Sequence, residues 1–332
     1  MKMNYKNIIP LLFISSSLLL TACQKDTDVF IPDPGQVSGP DTNWVATITA
    51  GMPVTILQNN LLLETYTDSF EVNANLATVN ATAAGLNINF PPFCCQRPNG
   101  LTVSGKVYLE LLLLKNKGDM IRMARPTSSN NRLLVSGGSF FIKLKKDGEE
   151  LQLKPNTYIQ VKFADPQPSP LMKVFYGDES NPNQFNWLPA DTAGTASQVI
   201  AGNQFYQLYS RSLRWVNCDY FYDTTGANRV KIQTELPANF TNANTSVFLV
   251  FNEMRTVVAM YGDHNLKKFI SGKVPVGKPI TIVVISKQGN DYYLGKQISN
   301  SGLNVTGNSN QSVPITPIKT GLADIKAYLG TL

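Results

Sequence analysis

Histidine is almost missing from this chain: among 332 residues only His264 is present. A serine or cysteine nucleophile needs a base that is itself oriented by a third group. His264 sits in the turn-like stretch Tyr261-Gly262-Asp263-His264-Asn265, and side chains adjacent along a strand, as Asp263 is, point to opposite faces. His264 is read as an exposed turn residue, and nucleophilic hydrolysis is set aside. Charge is sparse too, at 16%. The lysines lie scattered along strand-like runs such as IKLKKDGEE, the pattern of a solvated sheet face. With no Arg-rich helix and no nucleic-acid motif, nucleic acid is excluded as a partner. EF-hand loops, RTX repeats and four-cysteine zinc spacing are absent as well. The longest apolar run, Ile8 to Leu20, is broken by Pro10 and Ser15-Ser16-Ser17 and falls short of the roughly 20 residues that span a bilayer.

That run has another reading. Lys2 and Lys6 form a basic n-region, Ile8 to Leu20 the apolar core of an export signal, and Leu20-Thr21-Ala22-Cys23 resembles the bacterial lipobox. The resemblance implies a signal peptide over 1–22, cleavage between Ala22 and Cys23, and acylation of Cys23 as the new N-terminus. Acyl burial contributes about 0.8 kcal/mol per CH₂, so two or three chains hold a protein far better than one. The covalent lipid on Cys23 is the only cofactor expected. Cleavage removes Lys2 and Lys6 and leaves 27 basic against 23 acidic side chains, +4. The next residues, Gln24-Lys25-Asp26-Thr27-Asp28, resemble the Lys-then-acidic signal that carries Bacteroidota lipoproteins to the outer face of the outer membrane, although Thr27 separates Asp26 from Asp28. Outer-membrane anchoring with display on the cell surface is the expectation, and the periplasmic face is the alternative.

Residues 23–44 read as a tether: Ile31 to Asn43 carries three prolines and two glycines and almost nothing to bury. Twenty such residues span about 25 Å root-mean-square. From Trp44 onward nearly every segment, from VATITA to DYYLGKQI, is rich in Val, Ile, Thr, Phe and Tyr and bounded by Gly, Asn, Asp or Pro. In LTVSGKVYLELLLL, Val107, Leu109, Leu111 and Leu113 alternate with Lys106, Tyr108 and Glu110 before the alternation fades. Asp147-Gly148 predicts a two-residue hairpin turn. Asp165 to Pro170, with three prolines in six residues, is the best internal boundary. The fold expected is all-β, with two consecutive sandwich-like domains, 45–165 and 171–332. One helix is predicted, in TGLADIKAYLG, where Leu322, Ile325 and Leu329 share a face.

Residues 104–153 carry a long strand, then Gly118-Asp119-Met120, Pro126-Thr127, Ser136-Gly137-Gly138, an aromatic strand and the Asp147-Gly148 hairpin. This succession resembles the ZU5-type β-sandwich of Bacteroidota envelope proteins. Leu213 to Phe221 resembles the GWINCDRF element that follows such sandwiches, with Arg214 for the glycine and Tyr220 for the arginine. The likeness spans roughly residues 70–300 and implies an architecture; a fold alone supplies no activity.

Candidate sites are few. Cys94, Cys95 and Cys218 remain after Cys23 is lipidated, an odd number in an oxidising compartment. Adjacent cysteines rarely bridge, which leaves Cys218 with Cys94 or Cys95 as the one disulfide with promise; three buried free thiols is the preferred reading. In NCDYFYDTTG, Asn217 and Asp219 share a strand face and Asp223 begins a turn. With Trp215 they form a candidate ligand or Ca²⁺ site, oxygen ligands being right for calcium; the preferred alternative is that Asp219 bonds nearby backbone amides. A glycosidase needs only two carboxylates, for which Asp178, Glu179, Asp219 and Asp223 are the candidates. Phe205, Tyr206, Tyr209, Trp215, Tyr220, Phe221 and Tyr222 would serve either a sugar-stacking row or a core. Asp191-Thr192-Ala193 and Asp223-Thr224-Thr225 resemble the short Bacteroidota O-glycosylation motif, making Thr192 and Thr224 acceptors. The sequence reads as a non-catalytic, lipid-anchored envelope protein that binds or scaffolds another envelope protein or an external ligand. A glycan-binding accessory lipoprotein of a polysaccharide-uptake system comes second, a carboxylate-dependent hydrolase third.

Overall fold

The strand Gly105–Leu114 shows how the pattern is used. Val107, Leu109 and Leu111 enter one core, while Leu112 and Leu114, of the opposite parity, enter a second. Alternation fades at Leu112 because the outer face is covered from there on. In the computed structural model, residues 43–181, 185–190, 197–300 and 311–332 are described, and they are predominantly β.

One sheet runs, in spatial order, Tyr66–Val72, Gly105–Leu114, Arg132–Lys146, Arg214–Phe221, Lys173–Asp178 and Asn186–Pro189. Facing it is a five-stranded sheet of Gln198–Gly202, Phe205–Ser210, Ile159–Ala164, Leu86–Phe90 and Ala77–Ala81. Their inner faces form a sandwich core that includes Ile88, Phe90, Phe140, Val161 and Leu208. The remaining chain from Arg229 builds a single eight-stranded sheet that curls around its own core of Ile232, Leu249, Phe251 and Ile282. Between the sandwich and this curled sheet lies a third apolar layer, in which Phe175, Trp187 and Trp215 of the sandwich meet Phe248, Val250, Val283 and Ile285. Strands of the curled sheet such as Thr245–Phe251 are thus covered on both faces, which is why they read as continuous apolar runs instead of alternating ones.

The Asp165–Pro170 stretch is not a domain boundary. The strands after it, Lys173–Asp178 and Arg214–Phe221, return to the large sheet of the sandwich, where Arg214–Phe221 pairs with Arg132–Lys146. The prolines carry the chain from Ile159–Ala164 in one sheet to Lys173–Asp178 in the other, an arch that needs no ladder donors. The described residues fall within a single compact unit, Pro40–Leu332, so separate domains over 45–165 and 171–332 are replaced by a sandwich ending near Phe221 and a curled sheet packed on it.

Three short helices fill the layer between. Helix α1 is Pro53–Leu61, α2 is Lys117–Arg122 and α3 is the predicted Leu322–Leu329. Leu57 and Leu61 of α1, Met120 and Ile121 of α2, and Ile325 and Leu329 of α3 are all buried there. Arg122 donates from Nε to the Leu61 carbonyl (2.8 Å) and from Nη2 to that of Leu62 (3.2 Å), so α2 caps the open C-terminal end of α1. VATITA, expected as a strand, has no ladder partner and runs as an irregular approach to α1. Two hairpins turn on positive-φ pairs: Asp147-Gly148 (φ 53° and 81°), as expected, and Asn130-Asn131 (φ 46° and 62°).

Candidate functional site

Strand parity sorts the residues of Arg214–Phe221. Val216 and Cys218 point into the sandwich, whereas Trp215 and Phe221 enter the layer beneath the curled sheet. Trp215 is only 4% exposed, enclosed by Phe141, Phe185 and Trp187 at ring-centre distances of 5.0, 6.4 and 6.5 Å. The Arg125 guanidinium lies 4.6 Å above its ring and 4.2 Å above that of Phe185. Burial pushes Arg125 down to about 10, against the pull of the Glu179 carboxylate. Trp187 is fully buried and donates from Nε1 to the Pro126 carbonyl (2.9 Å). Tyr206 is buried as well, and its hydroxyl accepts the Ser169 N–H (2.6 Å). Tyr206, Trp215, Phe221 and Tyr222 of the aromatic row therefore pack into the cores, Phe205, Tyr209 and Tyr220 are half-buried, and Trp215 offers no face to a sugar.

Asn217 and Asp219 are fully buried. The Asn217 amide donates to Asp219 Oδ2 (2.6 Å), and the Ser136 hydroxyl to Asn217 Oδ1 (3.4 Å). Asp219 Oδ1 has no hydrogen-bond partner. Burial pushes the Asp219 carboxyl up to about 7, against the neighbouring Ser136 hydroxyl, the Asn217 amide and the charge of Arg255. The register beside it slips: Cys218 pairs with Gly138 but Asp219 with Ser136, leaving Gly137 as a bulge. A side chain at Gly137 would come within 2.9 Å of the Tyr206 ring and 3.0 Å of the Cys218 carbonyl, so only glycine fits. Arg255, from the curled sheet, donates from Nη1 to the Gly137 carbonyl (2.8 Å) and to Asp165 Oδ2 (2.9 Å). Nearby, Ser136 N–H donates to the Arg255 carbonyl (3.0 Å) and Thr256 Oγ1 to that of Leu134 (2.7 Å). These bonds sew the curled sheet to the bulged strand, with Asp219 beneath the seam.

The calcium constellation does not assemble around them. Asn217 turns N–H, not oxygen, toward Asp219, and exposed Asp223 accepts the Thr225 N–H (2.8 Å) in its own turn. Among the described residues no three His, Cys, Asp or Glu side chains converge. Of the other carboxylates, Asp178 accepts the Ser180 N–H (3.0 Å), and Glu179 is held by Arg125 (3.4 Å) and Arg214 (2.7 Å). Cys94, Cys95 and Cys218 are free and buried, so the Cys218 bridge is not formed. Thr224 is half-buried in its turn. Ala22, Cys23, Gln24, Lys25, Asp26, Asp28 and Thr192 lie outside the described residues.

What sequence reasoning missed is a groove where the sandwich and the curled sheet diverge. Three hollows of about 400, 280 and 790 Å³ meet at Tyr261, whose side chain is 44% exposed. The smallest and the largest share Asn130, Asn131 and Lys273; the largest is also lined by Arg132, Arg229, Lys231, Asp263 and His264. The signal was present in RVKIQTEL, where Val230 and Ile232 enter the curled core and Arg229 and Lys231 take the other face. His264, expected as an exposed turn residue, is exposed and lines this groove. Compared with protein-family models and with curated proteins, the sequence matches none.

Proposed function

We propose that this chain is a lipid-anchored outer-membrane protein, displayed on the cell surface, whose work is to bind a ligand or partner and not to transform it. The observation that carries the reading is the open, cation-lined hollow of about 790 Å³ at Tyr261, to which the Asn130-Asn131 hairpin of the sandwich and three strands of the curled sheet contribute. Sites of about 300–1,000 Å³ are the size that recognition uses, and this one is complete only when both β units are held together. The buried seam through Ser136, Arg255 and Thr256 supplies that rigidity. Cys23 supplies the anchor and Lys25 and Asp26 the address. Between scaffolding an envelope protein and capturing a glycan, the exposed ring of Tyr261 among amides and cations favours the glycan.

Intact cells treated with protease test the location. The wild-type protein is expected to be digested, a Lys25→Ala/Asp26→Ala variant to be protected, and a Cys23→Ala variant to lose membrane association altogether. Protection of the wild type would overturn surface display and place the protein on the periplasmic face.

A further inference from the structure

We propose that the groove at Tyr261 takes a linear anionic polysaccharide, a sugar chain bearing carboxylate or sulfate groups; this inference rests on the binding reading above and names its ligand class. The central observation is a pair of like charges. Lys231 and Lys273 are direct partners across an antiparallel ladder, on the face turned away from the curled core, and both line the groove. Like charges placed opposite each other in a sheet are destabilising. Several strand cations elsewhere are matched by acids, Lys145 by Glu110 (2.5 Å), Arg214 by Glu150 (2.8 Å), Lys268 by Glu235 (2.7 Å) and Lys319 by Asp291 (2.8 Å), and none of them faces a like charge across its ladder. Among the described residues Arg132, Arg229, Lys231 and Lys273 have no acidic partner within ion-pair distance, yet all four line one hollow.

Neither acid of the groove neutralises them: Asp178, which lines the smallest hollow with Lys273, accepts the Ser180 N–H (3.0 Å) in its own turn. Asp263 Oδ1 accepts the backbone N–H groups of Asn265 (3.0 Å) and Leu266 (2.9 Å) and so closes its own turn. Arg132 is held in place, its guanidinium 3.7 Å above the Phe221 ring, which fixes the charge without cancelling it. Four cations kept together against their mutual repulsion call for anionic groups from outside the chain.

The surroundings select a sugar chain. Asn130 and Asn186 are locked together, Asn186 Nδ2 donating to Asn130 Oδ1 (2.9 Å) and Asn130 N–H donating to Asn186 Oδ1 (2.9 Å), so the hairpin wall is rigid. Amides suit hydroxyl groups, and the Tyr261 ring offers an apolar face for a pyranose to lie on. A membrane surface would need these cations on a convex face, and here they line a concavity. A single inorganic anion would leave most of the hollow empty.

The test uses the full chain in detergent, titrated with polygalacturonate and with chondroitin sulfate. Neutral dextran, inorganic phosphate and phosphatidylcholine vesicles doped with phosphatidylglycerol serve as comparisons. The charged glycans are expected to bind, with affinity falling steeply as salt rises, and neutral dextran and phosphate not to. Lys231→Ala/Lys273→Ala is expected to weaken glycan binding by about tenfold or more, whereas Lys296→Ala/Lys319→Ala, the same charge change on another strand region, leaves it intact. A second readout separates function from folding: Lys231→Thr is expected to raise the melting temperature slightly, because a repulsion is removed. Vesicle binding without glycan binding, or equal losses for the two double variants, overturns the inference. If no charged glycan binds while protease still reaches the wild type on cells, the inference fails and surface binding stands; glycan binding by a protein that protease cannot reach on cells leaves the inference standing and overturns surface display.

Discussion

Gly118→Ala is expected to be among the most damaging single-methyl additions to this protein, although alanine is the better helix former. Gly118 lies in the first turn of α2, where intrinsic propensity alone would favour alanine by up to about 1 kcal/mol. The added methyl carbon would stand 1.7 Å from the Leu329 carbonyl oxygen, 2.4 Å from its carbon and 3.0 Å from its Cα. These are backbone atoms of the last turn of α3, and no side-chain rotation clears them. The two helices must separate, loosening Met120, Ile121, Ile325 and Leu329, each fully buried. Overpacking costs about 1–3 kcal/mol and occasionally more; with four buried side chains unseated, a loss of about 3–5 kcal/mol is expected. Urea unfolding should show a lowered midpoint at nearly unchanged slope. Gly51→Ala is the control, since a methyl there meets nothing within 4 Å and the residue has no positive φ. Equal midpoints for Gly118→Ala and wild type would mean that α3 docks with more slack than its contact with Gly118 implies.

The α2–α3 contact was only half legible in the sequence. The amphipathic spacing of Leu322, Ile325 and Leu329 announced α3, but nothing local announces that residue 118 must lack a side chain, because its neighbour lies more than two hundred residues away. Helix α1 was hidden for the opposite reason. Val54, Thr55 and Ile56 are β-branched and locally favour a strand, and what decides is the i, i+4 pair Leu57 and Leu61 facing the interlayer core. Strand content was readable because alternation and turn residues are local signals. The domain boundary was not: prolines at 166, 168 and 170 exclude a strand, but they do not tell whether the next strand starts a new sheet or returns to the old one.

The candidate site divides in the same way. Asn217 and Asp219 were correctly placed on one strand face, yet a face can turn to solvent or to a second layer, and burial by the curled sheet made them part of a seam. The groove escaped because each of its cations, read along its own strand, looks like an ordinary solvated residue. Only the ladder register brings Lys231 opposite Lys273 and sets both beside the Asn130-Asn131 turn.

The seam yields the second large effect, a stability that falls as pH rises from mildly acidic to neutral. Asp219 is held up to about 7 in the folded protein by burial, against about 3.9 in an unfolded chain. Below about pH 4 both states hold the proton and the carboxyl contributes no difference. Between the two values only the folded state holds it, so folding takes up a proton and stability declines with each step in pH. The decline is complete above pH 7 and amounts to about 4 kcal/mol, three pKa units at 1.36 kcal/mol each. Carboxylates held low by partners, such as Glu110 beside Lys145 and Glu235 beside Lys268, have the opposite sign and lose their contribution as pH falls. The comparison must therefore be made against Asp219→Asn. That variant keeps the shape, lets its carbonyl accept the Asn217 amide and cannot ionise; its own amide hydrogens fill the unpartnered position at a cost of about 1–3 kcal/mol. The groups facing this position besides Asn217 and Ser136 are the Arg255–Asp165 pair, the Cys218 thiol and Lys173, its partner across the ladder, none of which the substitution removes. Urea midpoints taken at about pH 4 and about pH 8 should cross, with the variant no more stable than wild type in acid and more stable by about 1–3 kcal/mol in base. Parallel curves would mean that Asp219 is ionised in the fold and that something supplies the missing positive charge. Repeating the titration with calcium and then with EDTA would identify it: a midpoint that follows calcium in the wild type and not in Asp219→Asn would restore the cation site that the geometry of Asn217 argues against.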